Sequence, residues 1–114
     1  MNDLQQRTKE FAHRCVKLSM SLQENTLGRH IQRQLIRCGT SVAANYRSAC
    51  LAQSKASFAS KISIAAEEVD EACFWMEFVI DESLIKAEMI SGLLQEGKEL
   101  TAMLLASRKT VKKK

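Results

Sequence analysis

The stretch FASKISIAAEEVDEACFWMEFV, residues 58–79, decides the fold. Within it Phe58, Ile62, Ala65, Val69, Ala72, Met76 and Val79 recur at alternating steps of four and three, the seam by which helices pack knobs into holes at a shallow crossing angle. One helix cannot bury such a seam alone, so the stretch predicts a helical bundle. It also carries more apolar surface than one seam can use. Counted at about 100° per residue from Phe58, Phe74 lies at about 160° and Phe78 at about 200°, with Ile64 at about 240° and Trp75 at about 260°. These side chains sit behind the seam. Either neighbouring helices wrap this helix and the rings are ordinary core, or Ile64, Phe74, Trp75 and Phe78 are buried against a copy of the same chain, since exposed aromatic patches mark interfaces. Glu67, Glu68 and Glu71 border the strip, so an acidic edge could meet the arginine band of Arg29, Arg33, Arg37 and Arg47 in the next copy, head to tail, and close a ring.

The rest of the chain reads as helix as well. There is no proline and there are only four glycines among 114 residues, and the breaks are short, at 25–28, 53–57 and 81–86. Helix one is expected over 3–24, capped by Asp3 with Gln6 as its box partner, burying Leu4, Phe11, Cys15, Leu18 and Leu22. Helix two, over 27–52, places Leu27, Ile31, Leu35, Cys38, Val42, Tyr46 and Ala49 within an arc from about 160° to 260° measured from Arg29. Gly39 inside it suggests close approach of a neighbour. Helix three is capped by Ser54 or Ser57. Helix four, over 86–109, buries Met89 or Ile90, then Leu93, Leu94, Gly97, Leu100 and Leu104. Four helices of about 22 to 26 residues are each about 33 to 39 Å long and match well enough to pack side by side. The expected architecture is all-α, an antiparallel up-and-down four-helix bundle at 1–109 followed by a basic C-terminal tail at 110–114.

Charge is sorted along the chain. Residues 26–66 hold six bases (Arg29, Arg33, Arg37, Arg47, Lys55, Lys61) and no acid, whereas 67–99 hold ten acids against Lys86 and Lys98. On helix two the arginines form a band opposite the core, with Thr40, Ala44 and Leu51 between them. Three uses are open for Arg29, Arg33, Arg37 and Arg47: a solvated face, pairing with acids of the bundle or of a neighbouring copy, or contact with phosphate, to which arginine offers bidentate donors. Lys55 extends the set. Arg108, Lys109, Lys112, Lys113 and Lys114 add five bases in seven residues, either a solubilising end or a segment that tracks a polyanion. No aromatics interleave with these bases, so base-specific reading is not indicated.

Other classes find no support. Cys15, Cys38, Cys50 and Cys73 are scattered and expected to be buried, reduced thiols, and His13 and His30 have no nucleophile or carboxylate at a spacing that would orient them. No catalytic residue, metal site or cofactor is expected. Neither a membrane span nor a signal peptide is readable, and a cytoplasmic location is expected.

The segment 37–47 (RCGTSVAANYR), continuing through Ser54-Lys55-Ala56 and Phe58, then Lys61, Ile64-Ala65, Glu67-Glu68 and Phe74-Trp75-Met76-Glu77, resembles the four-helix-bundle proteins encoded within intervening sequences of bacterial 23S ribosomal RNA genes. These are similar to the accessory variability protein of diversity-generating retroelements. The chain departs from the commoner pattern at Cys38-Gly39 and Ser48-Ala49. The resemblance implies an antiparallel bundle that assembles as a homopentamer, without enzymatic activity. For the retroelement relatives it implies binding of nucleic acid and of a reverse transcriptase. Two functions are therefore expected in turn: a scaffold holding RNA or DNA phosphates, or a protein-interaction ring whose partner is an enzyme such as a reverse transcriptase.

Overall fold

The computed structural model describes residues 2–113, with side chains described for 2–110. Four helices follow one another: α1 (Asp3–Met20), α2 (Thr26–Cys50), α3 (Lys55–Asp81) and α4 (Ala87–Lys113). There is no strand among the described residues. They pack into a rod of 47 × 21 × 20 Å, and no described helix is long and apolar enough to cross a membrane.

The helix starts follow capping chemistry. Two overlapping boxes compete at the N-terminus, and Asn2 with Gln5 prevails over Asp3 with Gln6: Asn2 Oδ1 accepts from the Gln5 N–H at 2.7 Å and Gln5 Oε1 from the Asn2 N–H at 3.1 Å. That choice leaves Asp3 in the first turn, where a carboxylate faces the positive end of the helix. Asn25 caps α2 by accepting from Gly28, and Ser54 caps α3 by accepting from Ser57. α1 stops at Met20, short of the expected Glu24. α4 passes without a break through the boundary placed at 109–110, because no glycine or proline lies in it after Gly97 and Thr110 Oγ1 bonds back to the Ala106 carbonyl at 3.0 Å.

The predicted faces are the buried ones. On α2, Ile31, Leu35, Cys38, Val42, Tyr46 and Ala49 are buried and Leu27 is half-buried. On α3 the seam from Ile62 to Val79 is buried, with Phe58 half-buried at its start. On α4 it is Ile90 that is buried, while Met89 is 76% exposed. Thr8 and Ser19 are buried on α1, each with its hydroxyl donating to a backbone carbonyl of the preceding turn, which makes these polar side chains tolerable inside. Three cysteines behave as expected. Burial pushes the Cys38 thiol up to about 12 and that of Cys73 up to about 11, and raises Cys15 further. Cys50 departs from the expectation: as the last residue of α2 it is exposed.

Contacts between successive helices run in opposed order. Asn2 meets Cys50 while Cys15 lies against Gly39, and Cys73 lies against Gly97 while Ser63 meets Arg108. Gly39 and Gly97 mark close approaches of neighbouring helices, since a Cβ at Gly39 would stand 2.6 Å from Cys15 Cβ, and one at Gly97 would stand 2.6 Å from Cys73 Sγ. α1 and α4 meet less intimately. They are tied by Arg7, whose guanidinium donates to both carboxylate oxygens of Glu96 (2.7 and 3.0 Å) and to Glu99 at 3.2 Å. Towards the α1–α2 turn the same seam opens into a groove of about 360 Å³ lined by Leu18, Ile85, Met89 and Leu93, with Arg14 and Lys17 beside them.

Candidate nucleic-acid interface and self-association face

Folding distributes the arginines of α2 over different surroundings. Arg37 is ion-paired: its guanidinium donates to Glu68 Oε2 at 2.9 Å and to Glu71 Oε2. The Glu71 hydrogen bond, ahead of the charges of Glu68 and Glu71, holds the guanidinium protonated above its ordinary range, and the same bond draws the Glu71 carboxyl below its own. Arg37 is thus paired with acids of its own bundle, the second of the three uses open to it, because the acidic half of α3 lies beside the N-terminal half of α2. Arg29 sits at the α1–α2 turn and donates to the Glu24 carbonyl at 3.0 Å. Arg33 and Arg47 are exposed and form no ion pair among the described residues.

At the opposite end the bases gather. Arg47 is near the close of α2, Lys55 opens α3, and Lys61 follows two turns later. Arg108 of α4 reaches α3 there, donating to Ser63 Oγ at 3.2 Å, with Lys109 beside it. The side chains of Lys112, Lys113 and Lys114 lie outside the described residues. A contributor not anticipated is Lys9 of α1, which lines a groove with Arg47. Nothing in the local sequence flags Lys9, since it is one of four bases mixed with two acids along α1 and only the pairing of α1 with α2 places it there. This end has few carboxylates to offset the bases: α2 has none, residues 55–66 of α3 have none, and α1 supplies Asp3 and Glu10.

The rings of α3 come together as a cluster on its outer side. Phe74 packs edge-on to Trp75 at 5.0 Å, Trp75 meets Phe78 at 6.0 Å, and His30 of α2 closes on Trp75 at 5.4 Å. The Trp75 indole N–H donates to Glu71 Oε2 at 3.2 Å. Trp75 and Phe78 are half-buried against the protomer's own core, so the wrapping expected of a central helix holds for them in part. Phe74 remains 52% exposed and Ile64 39% exposed.

Four packed helices with one basic end and an aromatic outer face make this a four-helix-bundle protein. The chain belongs to the 23S rRNA-intervening sequence proteins, whose family model matches residues 2–106. A crystal structure of a protein of unknown function from the S23 ribosomal protein family of Bacteroides thetaiotaomicron is similar, with a TM-score of 0.85 and 31% identity over 93% of this chain and 98% of that one. No curated protein matches.

Proposed function

We propose that this protein is a non-enzymatic scaffold whose basic end holds the phosphates of RNA or DNA without reading their bases. Successive helices run antiparallel, as the opposed order of their contacts supports. The observation that carries the reading is the convergence of Arg47, Lys61, Arg108 and Lys109 from three helices onto one end. Phosphate binding of this kind releases counter-ions, so log affinity falls linearly with log salt. Titrating a generic single-stranded RNA from low to physiological salt tests it, and a salt-independent affinity, or none, would sink the reading.

Copies of the chain assemble through the outer face of α3 into a ring, of five by the family resemblance. Exposed Phe74 and Ile64 supply the apolar ridge, flanked by Glu67, Asp70 and Glu77. The α1–α4 groove, apolar within and lined also by Arg14 and Lys17, is a complementary receiver. Ridge and groove are different surfaces, so the contact is heterologous, the kind that closes rings. Phe74→Asp is expected to yield monomers of unchanged helicity by light scattering and circular dichroism. A monomeric parent protein overturns the assembly. If the parent assembles yet binds no RNA, the ring that engages a protein partner is the reading left.

A further inference from the structure

We infer that the groove between α1 and α2 is a seat for one nucleotide unit of a single-stranded nucleic acid, its phosphate held between Lys9 and Arg47 and its nucleoside laid over Ala43 and Ala44. The inference rests on the nucleic-acid reading above and adds a place and a ligand to it. The groove measures about 280 Å³, and Lys9 enters its lining from α1 while Ala43, Ala44, Tyr46 and Arg47 enter from α2. Its hollow exists because two successive alanines leave the surface low between longer neighbours.

The electrostatics single out an anion. Two cations share one small groove, and neither has an ion pair among the described residues. Like charges so placed repel, and a phosphate between them turns the repulsion into two charge-assisted contacts, with arginine able to bind in bidentate fashion. The carboxylates of α1 do not compete. Asp3 and Glu10 lie off the groove lining, and Glu10 already accepts from Gln6 Nε2 at 2.7 Å. The other polar groups of the lining are mostly engaged internally: the Thr8 hydroxyl donates to the Gln5 carbonyl at 3.2 Å and the Tyr46 hydroxyl to Asn2 Oδ1 at 3.3 Å. Gln5 Oε1 accepts from the Asn2 N–H at 3.1 Å, which leaves the Gln5 side-chain NH2 as a donor. What remains is an apolar floor with two cations and the Gln5 amide at its edge, which suits a phosphate joined to a flat, weakly polar body better than a free inorganic anion. With the Gln5 amide as the one side-chain donor left besides the two cations, the seat has little with which to tell one base from another.

The test is a fluorescence titration of labelled hexauridylate at low salt with the full chain and three variants. Ala44→Leu fills the groove without altering charge, and Ala44 is exposed, so the fold is kept; thermal melts confirm that. Lys9→Gln removes one cation of the seat, and Arg108→Gln removes a cation of the same end outside it. Expected are a fivefold or greater loss for Ala44→Leu and for Lys9→Gln, with the double variant little worse than either alone. If Ala44→Leu binds as the parent does while Lys9→Gln and Arg108→Gln weaken binding alike, the seat is refuted and the basic end survives as a diffuse surface. Should the parent itself fail to bind, both readings fall. A second arm uses uridine monophosphate as competitor: displacement at concentrations no higher than those of the hexamer assigns the groove to free nucleotide and overturns the strand proposal.

Discussion

Arg37 and Arg47 sit ten residues apart on the same helix and differ in every consequence. Arg37 faces the part of α3 where the chain has turned acidic, and Glu68 and Glu71 neutralise it. Arg47 lies where α2 is flanked by α1 and by the basic opening of α3, and it shares its groove with another cation. The two halves of the bundle thus treat the same residue type in opposite ways. Linear charge blocks become surface only after the chain doubles back: a block of one sign is cancelled where it returns alongside its opposite and reinforced where it returns alongside its like.

The largest expected effect comes from erasing the basic half. Lys61→Glu, Arg108→Glu and Lys109→Glu combined should lower the slope of log affinity against log salt by about three units for a generic RNA, while Arg29→Glu at the far turn leaves it unchanged. Equal effects at both ends would erase the contrast. Removing the neutralising acids should sharpen it from the other side. Glu68→Gln with Glu71→Gln frees Arg37, and the slope should steepen by about one unit if that arginine then reaches phosphate. Acid melts probe the pair itself. Because Arg37 draws the folded Glu71 carboxyl below its ordinary value of 4.5, the stability it contributes is complete above that pH and is lost as pH falls through the lowered value. Glu71→Gln should therefore flatten the acid limb of a melting-temperature profile. The smallest effect is that variant's cost near neutral pH, under about 1 kcal/mol for a partly exposed pair.

Much of the fold is legible in the sequence because helix faces are periodic. The buried arc of α2 and the seam of α3 can be read residue by residue, since each depends only on spacing along one helix. The misreadings arise where two local solutions tie or where a partner helix decides. Asn2 and Asp3 both begin capping boxes, and Met89 and Ile90 both fit the face of α4. The candidate site was legible only in composition. That Arg37 is consumed, that Lys9 joins Arg47 and that Arg108 crosses to Ser63 all depend on which helices become neighbours, information that no single helix carries. Thr8 and Ser19 escaped for another reason: a hydroxyl that satisfies itself on its own helix looks polar in a sequence and behaves as a small apolar group in a core.

The single tryptophan of the chain sits where α2, α3 and the outer aromatic face converge, edge-on to His30 and hydrogen-bonded to Glu71. The molecule accordingly carries its own optical reporter. Indole emission responds to solvent access and to neighbouring groups, so anything that settles on Phe74 or displaces His30 from the ring registers in the fluorescence of the unlabelled protein.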